Sequence, residues 1–347
     1  MAKALIAMSG GVDSSAVALL MRDSGYDCAG AMMKLHGGES FEDARLVCDS
    51  LGIPFYGLDF SGEFSQNVIE KFVHSYEIGE TPNPCIECNR HMKFGILHKK
   101  AAELGCDCIA TGHYARVEFD EKWGRWLLKK ALNQAKDQSY VLYFLNQEQL
   151  ARVRFPLGNF TNKEQVRAIA AESGLPTASK GESQDICFVP NGDYAGFISR
   201  FTGKEYPGGE FRDLHGNVLG QHRGVIRYTI GQRKGLGISH SEPLYVVSKS
   251  VSENAVTLSM ERDLYSSELT ARDFNWISLT EPPTEPISVS VRTRYHALEA
   301  AATAVANPNG TVTIRFVEPQ RAISPGQAVV LYDGEIVVGG GTICASC

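Results

Sequence analysis

No apolar run in this chain approaches the length needed to cross a bilayer. The stretch after Met1 has one lysine and an apolar segment too short for a secretion signal. A cytoplasmic location without a membrane partner is therefore expected. An excess of positive charge is also missing: 34 Lys and Arg stand against 40 Asp and Glu, a formal net charge of −6. That balance does not favour nucleic acid, so any polyanionic partner needs a local basic face. Nine cysteines, an odd count, do not make a disulfide scaffold in a chain of this size. Internal repeats and low-complexity tracts are absent, which excludes solenoids and tails.

What remains is a chain of 347 residues with 43% hydrophobic composition, enough for two or three domains with sizeable cores. The first part alternates strand-like and helix-like runs. Strands are expected at 4–8, 28–33, 55–59 and 106–111, and helices at 16–21, 42–51, 64–78 and 92–104. This βαβα order predicts an α/β domain with a doubly wound parallel sheet, whose ligand sits beyond the carboxyl ends of the strands. A hairpin is expected around Lys122-Trp123-Gly124, and helical runs at 140–145, 163–173 and 194–201. After Thr202 glycines multiply and helical periodicity fades. The expected domains are 1–202 (α/β, catalytic), 203–268 (small, β-rich) and 269–347 (a β-barrel).

Between the first strand and helix lies Ser9-Gly10-Gly11-Val12-Asp13-Ser14-Ser15. A glycine turn at a helix N-terminus presents backbone N–H groups to an anion, and Ser9, Ser14 and Ser15 add hydroxyls. Asp13 places a carboxylate where a phosphate-bound Mg²⁺ would need one. The turn is no Walker loop, since Gly-Lys-Ser/Thr does not follow. It resembles the SGGxDS loop of the PP-loop ATP pyrophosphatases, which cleave ATP between its α and β phosphates and leave AMP on a substrate oxygen. Met33 and Gly112-His113 follow the second and fourth strands, at the same end of the sheet. Met33 suits either an adenine face or the core.

Cys85 and Cys88 form a C-x2-C pair in a loop stiffened by Pro82 and Pro84. In a cytosolic chain such a pair suggests metal, redox or persulfide chemistry. One pair is too few for a closed zinc site, and Cys187 is the natural third thiol. Cys28, Cys48, Cys106 and Cys108 read as buried packing. Cys344 and Cys347 read as a mobile tail.

Taken in order, SGGVDSS, TPNPCIECNRHMKF, ATGHYAR, KDQSYVLYFL, GESQDICFV and RYTIGQRKGLGI resemble the motifs of the bacterial tRNA-specific 2-thiouridylases. The resemblance runs from residue 1 into the last domain. It implies a PP-loop domain, a central β domain and a C-terminal β-barrel. The implied reaction replaces O2 of the wobble uridine, position 34 of certain tRNAs, by sulfur, with AMP and pyrophosphate released. Carried over by motif, Ala7, Met8, Ser9, Gly10, Gly11, Val12, Asp13, Ser14, Met33 and Gly112 bind ATP with Mg²⁺. Cys88 is the nucleophile and Cys187 carries the persulfide. Asn83, Pro84 and Cys85 lie against the target base. The tRNA is met by His113, Lys136, Asp137, Gln138, Ser139, Arg294, Tyr295 and Gln327. A sulfur donor, either a cysteine desulfurase or a sulfur-relay protein, is a further partner. Lys180 is a cation near Cys187 in sequence that would favour its thiolate.

Where this chain has Cys85, the usual loop has Asp. Cys85, Cys88 and Cys187 would then supply three ligands of a [4Fe–4S] cluster with a fourth iron open to sulfide. The persulfide and cluster routes both stand at this point. A basic cluster of His222, Arg223, Arg227, Arg233 and Lys234, with Arg292 and Arg294 beyond, is the candidate phosphate-contacting face. Two other functions use the same loop: a PP-loop enzyme adenylating a small metabolite, which needs no cysteines, and an adenine-nucleotide or tRNA-binding protein, which forms no AMP.

Overall fold

The computed structural model describes residues 1–173, 175 and 186–344. Lys180, Cys347 and the first half of GESQDICFV lie outside the described residues. Strand β1 (Lys3–Met8) is apolar from Ala4 onward because both of its faces are covered. Ala4, Ile6 and Met8 enter one core, and Leu5 enters another with Ala31, Leu97 and Ile109. Helices α1 (Val12–Asp23) and α2 (Glu42–Leu51), strands β2 (Asp27–Lys34) and β3 (Phe55–Asp59) complete the first half. The order is β3-β2-β1-β4-β7 and every pairing is parallel. The sheet is thus the doubly wound one expected. Its direction of growth reverses between β1 and β4 (Cys108–Ala110), which opens a crevice beyond their carboxyl ends.

Two helices depart from the sequence expectation. The run expected at 64–78 begins earlier as α3, built from Ser61–Phe64, a π-helical Ser65–Ile69 and Glu70–Glu77. The loop expected over Cys85 and Cys88 is instead the start of helix α4. It runs through Pro84–Glu87, a π-helical Cys88–Ile96 and Leu97–Glu103. Asn83 explains the correction: its side chain accepts from the Cys85 N–H at 3.1 Å, and Pro84 occupies the first turn, where no N–H donor is needed. Strand β4 is shorter than expected, and the run at 140–145 is a buried 3₁₀ turn, Ser139–Leu142.

Strands β5 (Ala115–Asp120) and β6 (Arg125–Lys130) form the expected hairpin, but it extends the C-terminal sheet: Ile336 pairs with Lys129. Helix α5 (Gln147–Ala151), β7 (Val153–Arg154), α6 (Lys163–Glu172) and α7 (Tyr194–Thr202) follow. Strands β8 (Gly209–Arg212), β9 (Val218–His222), β10 (Tyr245–Ser250) and β11 (Ala255–Ser259) make the central sheet, ordered β10-β11-β8-β9. The last unit closes β12 (Tyr265–Trp276), β15 (Val312–Arg321), β14 (Ala300–Ala306), β13 (Ile287–Arg292), β16 (Ala328–Asp333) and β17 (Ile336–Ile343) into a barrel through the β12–β17 pairing. Strand β12 starts at Tyr265, ahead of the expected domain start at 269. Inside the expected barrel, strands β14 and β17 are rich in alanine and glycine, which blur the apolar alternation that marks a strand in sequence.

The three units share their cores. Phe94, Tyr140 and Leu142 pack with Tyr332, Val330 and Ala328 of the barrel. Phe64, Phe72 and Met92 pack with Phe211, Val246 and Val256 of the central sheet through Phe188. Asp137 is the polar hub of the first joint. Its carboxylate accepts from the Ala131 and Ser139 N–H groups, from Ser139 Oγ at 2.9 Å and from Arg292 at 3.2 Å. Arg292 also binds Glu299 at 3.0 Å and lies over the Tyr332 ring. Asp137→Ala leaves that guanidinium half-paired in a buried place, and a loss of about 3 kcal/mol in urea-unfolding free energy is expected. A loss below about 1 kcal/mol, the range of an exposed pair, would place the strength of the joint elsewhere.

Candidate functional site

The first loop is built for an anion. The residue before α1 is Gly11, which has no side chain to cap the first turn. Ser9 and Ser14 hydroxyls lie 3.1 Å apart, and Ser14 also donates to the Gly11 carbonyl. Ser15 is fully buried and donates to the same carbonyl at 2.9 Å, so its hydroxyl braces the turn. Gly112, after β4, closes the other wall: a Cβ there would lie 3.2 Å from Asp13 Cβ. Asp13 accepts from Tyr114 Oη at 3.1 Å and pairs with Lys163 at 3.2 Å. Tyr114 and Lys163 are contributions that no local pattern announces, because they arrive from β4–β5 and from α6. Met33 ends β2 half-buried between two cores.

The thiols gather beside this crevice. Cys88 and Ile186 pack against the core that contains Met92 and Phe188, so the two cysteine segments meet through their neighbours. Phe188 makes edge contacts with Phe64 and Phe72, 5.6 and 5.3 Å between centroids. Desolvation by the surrounding protein raises the pKa of half-buried Cys88 and also of Cys85 and Cys187, whose side chains open to solvent on one side, the last to about 11, with the Cys88, Cys85 and Glu39 charges adding to it. Lys93 opposes the rise at all three. The same lysine helps hold His113 well below the ordinary histidine range, after burial itself. Lys93 is therefore the one cation among the described residues whose charge acts on three thiols and an imidazole drawn from three segments. Sequence reading missed it and turned to Lys180 instead.

The other expected site residues divide into open and structural positions. Cys85 opens to solvent, while Pro84 is buried and Asn83 is engaged as the helix cap. His113 is buried, bonded through Nδ1 to Thr111 Oγ1 at 2.7 Å and packed on Phe94 and Phe155. Asp137 and Ser139 lie in the domain joint, Gln138 accepts from the Tyr114 N–H, and Lys136 is half-buried beside them. Arg294 donates to the Ile230 and Ala322 carbonyls and to Ser324 Oγ, tying the barrel to the central sheet. Gln327 donates to the Thr81 carbonyl at 2.7 Å and so steadies the approach to Cys85. Tyr295 packs its ring on Tyr140, and its hydroxyl pKa is raised by burial first and then by the Asp137 and Cys85 charges. His222 of the basic cluster is buried and satisfied by Gly224 N–H and Asn254 O.

Among the described residues no three His, Cys, Asp or Glu side chains are grouped closely enough to hold a metal ion. As placed here, Cys85, Cys88 and Cys187 do not form the ligand set of an iron–sulfur cluster. A Mg²⁺ ion makes a smaller demand, one or two carboxylates plus substrate phosphates, and Asp13 meets it. No helix among the described residues is long and apolar enough to cross a membrane.

Three family profiles tile the chain. One described as tRNA methyl transferase HUP domain matches residues 2–191, a tRNA methyl transferase PRC-barrel domain matches 195–260, and an aminomethyltransferase beta-barrel domain matches 266–343. Among curated proteins the chain is 49% identical to the tRNA-specific 2-thiouridylase MnmA of Acetivibrio thermocellus, covering 98% of this chain and 99% of that one. It is 47% identical to the protein of the same name in Clostridioides difficile, covering 98% of each, and 49% identical to that of Moorella thermoacetica, again 98% of each.

With its thiol raised to about 11, Cys187 in the free protein is mostly protonated at neutral pH. Its alkylation, followed by peptide mass spectrometry, is expected to keep accelerating with pH to about 11. A plateau by about pH 9, near the ordinary thiol range, would contradict this.

Proposed function

The chain belongs to the family of tRNA-specific 2-thiouridylases, and on that footing we propose how its own residues divide the work. It is a tRNA sulfurtransferase that uses ATP. Two profile descriptions speak of methyl transfer, but methyl transfer needs neither a phosphate loop nor paired thiols. What supports the sulfur reading is that the helix start bearing Cys85 and Cys88 and the segment bearing Cys187 pack on one core through Cys88, Met92, Ile186 and Phe188, and that Met33 at the end of β2 packs on the same core.

In this reading residues 7–14, Met33 and Gly112 hold ATP, and Asp13, now paired with Lys163, would hold the Mg²⁺ that neutralises phosphate charge. The uracil O2 attacks the α-phosphorus and pyrophosphate leaves. A donor protein, a cysteine desulfurase or a relay, loads Cys187 as a persulfide. The terminal persulfide sulfur bonds to C2 and AMP departs with O2. Cys88 thiolate then attacks the Cys187 sulfur, releasing 2-thiouridine and forming a Cys88–Cys187 disulfide. Alternatively, Cys88 first releases the terminal sulfur as sulfide, which attacks C2, and the same disulfide results. An external thiol reductant supplies two electrons to reset the pair. Tyr295 lines the entry for the wobble uridine, and His113, buried and held neutral, backs the site from beneath. Cys85 and Asn83 lie against its ring.

The wider tRNA contact falls to the central sheet. Arg223 and Arg227 are exposed and line a cavity of about 220 Å³ with Tyr194 and Gln232. Neutralising two phosphates there makes binding salt-sensitive.

The decisive assay is a single turnover with anaerobically purified protein, ATP, Mg²⁺, a persulfide donor and unmodified tRNA. Iron is quantified on the same sample. AMP together with 2-thiouridine is expected, with iron well below one cluster per chain. Stoichiometric iron needed for activity would move the reading to the cluster route. AMP formed with a small acid and indifferent to tRNA would favour the metabolite-adenylating alternative, and no AMP at all the binding-protein one. Cys88→Ser and Cys187→Ser should each abolish 2-thiouridine while retaining ATP binding, and full activity in either refutes its assignment. The double variant Arg223→Ala/Arg227→Ala should weaken tRNA binding and lower the slope of log affinity against log salt by about two. An unchanged slope would remove the central sheet from the interface.

A further inference from the structure

We propose that Lys93 is the positioning cation of the sulfur site, standing one π-turn beyond Cys88 on the cleft face of α4 and serving as the common counter-charge for sulfur at Cys85, Cys88 and Cys187. This rests on the sulfur-transfer reading above and adds to it a residue that neither the thiol pair nor the phosphate loop identifies.

The register of α4 carries the inference. Over Cys88–Ile96 the helix is π-wound, with hydrogen bonds from residue i to i+5. That winding stacks residue 93 above residue 88. In an α-helix of 3.6 residues per turn the fifth residue falls toward the opposite face. Gly95 belongs to the same device, because a Cβ there would lie 2.9 Å from the Arg90 carbonyl oxygen. The remaining faces of the segment are committed. Asn89 donates to the Val141 carbonyl. Arg90 donates to Tyr143 Oη and lies over the Tyr143 and Phe144 rings. Met92 is buried with Phe188, and Phe94 packs on His113, Phe144 and Phe155. Cys88 and Lys93 are left for the cleft.

The charges around them make the cation necessary. Lys71, on the neighbouring helix, is paired with Glu87 at 3.0 Å, and Glu87 also meets Arg90 and His91. Among the described residues no carboxylate pairs with half-buried Lys93. Facing Cys88 are Lys93 and Cys85; facing Cys187 are Cys88, Cys85, Glu39 and Lys93. Apart from Lys93, every one of these raises the cost of a negative sulfur, as burial does. A thiolate is the nucleophile in sulfur transfer. Without Lys93 the second cysteine would stay protonated as the transfer intermediate waits.

The test uses the full-length protein without ATP or tRNA. Iodoacetamide labelling of Cys88 is mapped by mass spectrometry from pH 6 to pH 10 in the wild type, Lys93→Gln, Lys93→Arg and Gly95→Ala, each checked by thermal melting. Lys93→Gln should label about tenfold more slowly at pH 8, with its rate-against-pH curve displaced to higher pH. Lys93→Arg should stay within about threefold of wild type, since it keeps the charge. Gly95→Ala should resemble Lys93→Gln although the lysine remains, because the turn tightens. Labelling of folded Lys93→Gln at or above the wild-type rate overturns the proposal, since a lysine that only packs would expose Cys88 when removed. If Lys93→Gln does not fold, Gly95→Ala decides: a wild-type profile overturns the proposal. The sulfur-transfer reading fails by a separate result, wild-type enzyme forming no 2-thiouridine in the single-turnover assay.

Discussion

The buried carboxylate of Asp137 is the contact on which the arrangement of this molecule turns. Two backbone N–H groups and a serine hydroxyl bind it from its own segment, and Arg292 binds it from the barrel. A buried charge tolerates no loose geometry, because a misplaced partner leaves an unpaired ion in a poorly solvated place. The apolar joint around it, Tyr140 and Leu142 against Tyr332 and Val330, has no such directional demand. The pair therefore sets the orientation while the shared core supplies the adhesion.

Against that frame the site is assembled from distant pieces by two departures from regular winding. The reversal of strand order between β1 and β4 opens the crevice in which the loop after Met8 meets Gly112. The π-winding of α4 turns Cys88 and Lys93 to the same side. Each departure lies where a regular continuation would have filled the space with side chains or turned a functional group away. Both sit between apolar surfaces that absorb the irregularity, Met92 and Phe94 for the helix and the two sheet faces for the loop.

Much of the fold was legible because its signals are short-range. The βαβα alternation, the glycine turn at Gly10-Gly11 and the hairpin at Gly124 all follow from residues close in sequence, and the parallel sheet appears as expected. Cys85 and Cys88 were misjudged as a loop, because two prolines read as a break when one of them was a helix start. The cap that distinguishes these cases, Asn83 on the Cys85 N–H, is itself local and could have been used. Strands β14 and β17 were invisible for a different reason: alanine and glycine carry too little apolar contrast, and only pairing with β13, β15 and β16 makes them strands. Asp137, Arg294 and Gln327 match a tRNA-binding pattern by motif, yet each makes bonds that join segments far apart in the chain.

By itself the sequence determined the glycine turn between β1 and α1, the doubly wound sheet and the presence of a paired thiol motif with a third cysteine downstream. These depend on backbone preference and on the periodic placement of apolar residues, which neighbours in the chain suffice to express. Only the tertiary structure decided that the segment before Cys187 packs on the core that holds Cys88, that Lys163 and Tyr114 reach Asp13, and that one lysine, Lys93, counters the burial of all three thiols. Those relations depend on charge and packing across long loops. Charge acts through space, so its partners are chosen by the fold and not by separation along the chain.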